Sequence, residues 1–287
     1  MQAGEQAPWR FSPIDVLAES VAFVAAHFPA IAAWSAAPLL YGLAFQFLMP
    51  SGNGREGGTV LPAILLMAFI LLWIRVPLEL RLYRKLLLDE TPSHFYGLQL
   101  VDGRTWSYVW AYLRVIGLFL ATFGPGVLMI ASLAAPFLRG GGLDLGDSPD
   151  RMTSLVSVSG AFVLLGVLYV MLAPRVILLF PDVALGGQGR LFGPAAMGEI
   201  GKKARWRMVA VMAMIWAPEH TLNVLGYVGG DWEIWKEASQ MWWFSLLVYL
   251  LGFATMIVSV VAGGVMYRRL RAGIPVMAHR EPDEEDE

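Results

Sequence analysis

The sequence predicts an all-α fold: a polytopic transmembrane helix bundle of about six spans, paired as three hairpins, with an N-terminal interfacial amphipathic helix. Three observations predict it. First, 57% of the 287 residues are hydrophobic and only 15% charged. Soluble domains carry about 25% charged residues, so much of this surface must face something other than water. Second, the mean hydropathy is +0.57, and apolar runs of spanning length recur along the chain; a ~30 Å hydrocarbon core needs about 20 residues per helix. Third, Lys and Arg are concentrated in alternate connections. Three segments follow: residues 1–29, a cytoplasmic N-terminus with the amphipathic helix; 30–272, the six-span domain; and 273–287, an acidic cytoplasmic tail.

Residues 1–12 carry one Arg and one Glu and do not read as a cleaved signal peptide. Pro13 suits the first turn of a helix. Asp15 and Glu19 lie i, i+4, with Ile14, Leu17, Val21 and Val24 on the other side. This amphipathic stretch, 13–28, is expected to lie in the interface and feed span 1. The spans are expected at Ala30–Met49, Val60–Leu82, Tyr108–Leu138, Leu155–Phe180, Met208–Val228 and Met241–Met266. The fifth has the weakest signal, since Pro218, Glu219, His220 and Asn223 occupy its second half. Prolines such as Pro38, Pro77, Pro174 and Pro218 predict kinks, which neighbouring helices can accommodate.

Orientation follows from the basic residues. Arg81, Arg84, Lys85 and Arg104 lie at or after span 2, and Arg190, Lys202, Lys203, Arg205 and Arg207 follow span 4. With Arg10, Arg268, Arg269, Arg271 and Arg280, one side holds 14 and the other 4 (Arg55, Arg139, Arg151, Lys236). The positive-inside rule then puts both termini in the cytoplasm. The opposite loops, Ser51–Gly58, Arg139–Asp150 and Tyr227–Gln240, are Gly- and Asp-rich or Trp-bearing. The tail Glu281–Glu287 is almost purely acidic and is expected to be disordered.

The chain echoes itself. Leu72-x-x-Arg75-Val76-x-Leu78 recurs as Leu172-x-x-Arg175-Val176-x-Leu178, and Tyr83-Arg84-Lys85-Leu86 as Tyr267-Arg268-Arg269-Leu270. Two spans per unit would make the repeats parallel.

Arg75, Arg114 and Arg175 fall within or at the edge of spans, where an ionisable residue is costly and a functional candidate. Two readings compete. They form structural ion pairs or snorkel to headgroups, with Glu79 one turn from Arg75 and Asp182 two turns from Arg175. Alternatively, Arg75 and Arg175 face a common interior and bind an anionic headgroup or solute. Glu219 beside His220 could relay protons or hold a metal, but adjacent helical residues diverge by about 100°. Asp144, Asp147 and Asp150 lack the EF-hand spacing.

With no cysteine, disulfides and thiolate chemistry are excluded. H-E-x-x-H is absent. Ser157-Val-Ser159-Gly160 lacks the first Gly of a nucleophile elbow, and Gly201-Lys202-Lys203 lacks the remainder of a phosphate loop. No catalytic, cofactor or metal site is expected. The partners expected are anionic membrane lipids and a membrane protein, not nucleic acid.

One stretch resembles a known group. Ala173-Pro174-Arg175-Val176 is followed by Pro181-Asp182-x-Ala184, then Gly198 to Trp206, and the chain closes its last span with Tyr-Arg-Arg-Leu. The pattern resembles the bacterial six-span membrane proteins that include the membrane domain of some glycerophosphodiester phosphodiesterases and the YciC-like inner-membrane proteins. Members typically place Ser or Thr before the basic-Trp stretch, where this chain has Glu199-Ile-Gly201. The resemblance implies an inner-membrane location and no phosphodiesterase activity, because that domain is missing. The expected role is a non-enzymatic scaffold, accessory subunit or lipid-interacting factor; the alternative is a carrier of a small anionic or lipid-like solute.

Overall fold

A computed structural model describes residues 11–48, 57–90, 102–139, 167, 170–187, 195–228 and 242–272. Among them the fold is all-helical: α1 (Pro13–Ala26), α2 (Phe28–Leu48), α3 (Gly57–Leu88), α4 (Gly103–Arg139), α5 (170–184), α6 (Ala195–Val228) and α7 (Trp242–Ala272). The first half of the expected fourth span and most of the opposite loops and tail lie outside the described residues.

Local chemistry sets the boundaries. Ser12 caps α1, its hydroxyl accepting from Asp15 N at 3.4 Å, and Pro13 occupies the first turn. Between α1 and α2 the chain turns by 85° at His27. Pro29 then sits in the first turn of α2, where its missing N–H costs nothing. The amphipathic segment is thus a helix of its own rather than an extension of the next. Helix α3 stops at Asp89, whose φ of +53° is a left-handed conformation that Asp tolerates better than most residues. Lys85 Nζ reaches Asp89 Oδ1 at 2.7 Å, and this hydrogen bond and charge hold the exposed Asp89 carboxyl below its ordinary range. Arg84 pairs with Glu90 beside it.

A single core joins one end of the bundle. It takes the C-terminal halves of α3, α5 and α7 and the N-terminal halves of α4 and α6: Leu82, Leu86, Tyr108, Val183, Ala204, Met208, Met266 and Leu270 are all buried in it. Those are also the ends that carry the basic residues. Residues 76–83 of α3 are buried all round, making that half the central strut. Helix α6 shows one buried stripe instead, Ala204, Met208, Val211 and Ile215, at the i, i+4, i+7, i+11 spacing of a helix face. Glycine permits the closest approach between α3 and α7. A Cβ on Gly264 would lie 2.6 Å from Leu86 Cδ2, and one on Gly263 would lie 3.2 Å from the Tyr83 hydroxyl.

Helix α1 lies across this end, packing on α6 and α7 as well as joining α2. Val16 and Ser20 face the bundle and are buried. Glu19 is clamped by Arg269 Nη2 at 2.6 Å and by Arg268. The outward stripe is Ile14, Ala18, Val21, Ala22 and Ala25, all exposed and all apolar. A helix that buries one seam and leaves an apolar stripe outside has a face unsuited to water.

Among the described residues, α7 is long and apolar enough to cross a membrane by itself, and α1 with α2 passes the same test as a bent pair. Only 28% of the apolar window of α7 is buried. Among the described residues the coarser expectation, an all-helical fold with a helix long and apolar enough to cross a membrane, is met.

Candidate functional site

Among the three candidate arginines, Arg75 forms the most developed constellation. It lies on α3 with Glu79 one turn on, and Nε reaches Glu79 Oε1 at 2.5 Å. The Glu79 side chain is only 1% exposed. Its remaining acceptor capacity is met from α4: the Tyr108 hydroxyl donates to Oε2 at 3.0 Å, and the Tyr112 hydroxyl lies 2.7 Å from both oxygens. A buried carboxylate holds its charge only when so surrounded. Phe180 of α5 closes the site, its ring 5.2 Å from that of Tyr108 and 4.4 Å from that of Tyr112. Two helices thus meet on one carboxylate, and a third packs on the tyrosines that hold it. Both Glu79 oxygens accept hydrogen bonds, so the arrangement fastens helices. The Arg75 side chain stays 35% exposed, so the cation is not sealed in with the carboxylate it pairs.

The tyrosines were not among the sequence candidates. A signal existed: Tyr108 and Tyr112 are i, i+4 in a helix beginning just past an acid-bearing span. Tyrosine is common near membrane interfaces, however, and hydropathy does not separate an inward hydroxyl from an outward one.

Arg175 behaves differently. It is exposed on α5, while Arg75 is tied to Glu79 on α3. The repeat itself explains why: Leu179, buried, stands where Glu79 stands in the first copy. Asp182, the expected partner of Arg175, instead accepts from the Tyr267 hydroxyl at 3.1 Å, joining α5 to α7. The Tyr83 and Tyr267 echo is more faithful. Both rings are buried at the same end of the bundle, and so are Leu86 and Leu270 three residues on.

Arg114 is exposed on α4. It shares an outward stripe with Trp106 and Trp110, spaced i, i+4, i+8, continued by the exposed Leu113 and Leu120. A matching rim opens α6. Trp206 is 70% exposed, with Lys202 and Lys203 exposed before it and Arg205 and Arg207 half-buried on either side. Tryptophan at the end of an apolar stripe, beside basic side chains, is the pattern of a membrane–water boundary.

Glu219 and His220 diverge as adjacent helical residues must. The His220 ring stacks on Trp216 with centroids 5.9 Å apart, whereas Glu219 turns to α7 at Gly252. Among the described residues no group of three or more His, Asp or Glu could hold a metal ion; the Asp144, Asp147 and Asp150 series lies outside them.

No protein-family model matches the chain, and neither a curated protein nor a solved structure is similar to it.

Proposed function

We propose that the chain is a multi-pass protein of the bacterial inner membrane, with both termini cytoplasmic and about six spans. Its role in this reading is non-enzymatic: it binds anionic lipid headgroups along its basic end and serves as a scaffold or accessory subunit for a membrane partner. The likeness to the six-span inner-membrane group belongs to the same proposal. The observation that carries it is the exposed Trp206 set among Lys202, Lys203, Arg205 and Arg207 at the start of α6. In water that indole would be an unfavourable surface. At a bilayer boundary it anchors, while the flanking cations meet headgroup phosphates, each worth about 1 kcal/mol near an anionic surface. Trp106, Trp110 and Arg114 support the reading from α4, and the outward apolar stripe of α1 supports it from the side.

The test is lipid retention. The protein is extracted in mild detergent, mixed with equal amounts of phosphatidylglycerol and phosphatidylethanolamine, and weighed intact with its bound lipids. The wild type retains phosphatidylglycerol preferentially. A variant with Lys202, Lys203, Arg205 and Arg207 all changed to Gln loses that preference. Equal retention by both proteins overturns the reading.

A further inference from the structure

One cation in the bundle keeps most of its donors unused. Arg75 gives its Nε–H to Glu79, and no described residue accepts from Nη1 or Nη2. The outer edge of a planar fork is therefore open, on a side chain that has donors and no acceptor. Glu79 is in the opposite state: its side chain is 1% exposed and takes two tyrosine hydroxyls besides. An ion approaching this pair meets the cation and not the carboxylate.

The placement is inward. Arg75, Glu79 and Tyr83 follow one another at i, i+4 and i+8 on α3. Glu79 meets α4 through Tyr108 and Tyr112. The Tyr83 ring lies 6.4 Å from that of Tyr108, and its hydroxyl is 3.2 Å from where a Cβ on Gly263 of α7 would sit. This face of α3 thus looks into the seam between α4 and α7. The Arg75 charge acts on Tyr112 of α4 and on Tyr249 of α7. Protein atoms crowd the guanidinium enough for desolvation to be the strongest influence on it, yet 35% of the side chain is exposed. Crowded surroundings with surface left open describe a recess, not an outer face. Arg84, at the basic end of α3, lies nine residues on, ~14 Å at about 1.5 Å per residue, so the recess is set back from that end.

We propose that Arg75 anchors a phosphate-binding site in the recess that α3 shares with α4 and α7. A crowded cation with open donors is costly until an acceptor meets it. The open Nη edge presents two parallel N–H groups, which two oxygens of one phosphate match. Chloride, a single centre, cannot fill both with that geometry. A lipid headgroup phosphate and inorganic phosphate share this chemistry. The site is distinct from the basic rim of α6: it is one guanidinium within the bundle, whereas the rim is a row of cations beside Trp206.

The full-length protein in mild uncharged detergent tests this by thermal unfolding at fixed ionic strength. In one arm potassium chloride is replaced stepwise by potassium phosphate. In the other, phosphatidylcholine in mixed micelles is replaced stepwise by phosphatidic acid. A saturable rise of a few degrees in the midpoint is expected in at least one arm, and the arm identifies the source. Arg75→Gln should abolish the rise. Arg75→Lys, which keeps the charge without the fork, should raise the half-saturating concentration about tenfold. Glu79→Gln, which keeps an acceptor for the tyrosines and removes the competing charge, should lower it about tenfold. A purely structural ion pair would not give these opposite shifts. Arg84→Gln, outside the recess, should leave the response unchanged, separating site binding from general salt effects. A flat response of the wild type in both arms overturns the proposal, and so does an undiminished response in Arg75→Gln. Should that variant fail to fold, unchanged half-saturation in both Arg75→Lys and Glu79→Gln has the same force.

Discussion

The Tyr112 hydroxyl stands 2.7 Å from each oxygen of the Glu79 carboxylate. A bond between helices α3 and α4 thereby depends on one hydroxyl, and Tyr108 adds a second at 3.0 Å. Tyr112→Phe is expected to cost about 1.5–3 kcal/mol, the range for a hydrogen bond to a charged group. Tyr108→Phe, with the longer contact to one oxygen, should cost less. Glu79→Ala should cost most, because it removes all these contacts at once and leaves the Tyr108 and Tyr112 hydroxyls without their acceptor. Combining Arg75→Gln with Glu79→Gln should cost less than the two changes added. Reversible unfolding in mixed micelles gives the order; equal losses for the two tyrosine variants would contradict the geometry.

Much of the helical layout was legible from apolar runs alone. The expected second span, Val60–Leu82, falls within α3, and the expected last span, Met241–Met266, overlaps α7 from Trp242 onward, because a long apolar run has few other places to be. The partners were not legible. Glu19 and the arginines that hold it are 249 and 250 residues apart. The helical spacing of α1 separates its charged from its apolar side, but does not say that the charged side meets another helix. Arg75 and Arg175 looked equivalent because the repeat was read from the residues they share. The difference that decides their roles is one residue wide: Glu79 against Leu179.

The Glu19 clamp leads to a prediction about motion rather than global stability. Its side chains remain 29–49% exposed, and exposed pairs contribute only about 0.2–1 kcal/mol. Glu19→Gln should therefore leave the unfolding midpoint nearly unchanged while loosening α1. Hydrogen exchange should quicken at the α1 amides and not along residues 76–83 of α3. High salt should produce a similar, weaker effect in the wild type, since screening acts on exposed charges. Uniform acceleration across all helices would show that the clamp serves the whole bundle.

Two glycines on different helices should respond oppositely to the same substitution. At Gly264 an added methyl meets Leu86 Cδ2 at 2.6 Å and Tyr83 Cδ1 at 3.2 Å. Gly264→Ala should cost about 1–3 kcal/mol by overpacking. Shortening Leu86 to Ala in the same chain should recover part of that loss relative to the sum of the single changes. At Gly117 a methyl meets nothing within 4 Å. Gly117→Ala should be neutral or stabilising by up to about 1 kcal/mol, from helix propensity. Unfolding measurements on the four proteins would check both signs.

The absence of cysteine makes the proposed topology directly testable. Every introduced thiol is the only one, so labelling by a membrane-impermeant maleimide reports a single position. Six spans with both termini inside require cysteines at Asn53 and at Gly229 to react in intact cells. Cysteines at Arg271 and Lys202 should react only after the membrane is opened. A cysteine at Ile14, on the outward stripe of α1, should react slowly in either case, because an interfacial thiol is shielded by headgroups. Reaction of Arg271→Cys in intact cells would reverse the orientation. Protection of Asn53→Cys in intact cells, with Arg271→Cys also protected, would remove the first hairpin and with it the six-span count.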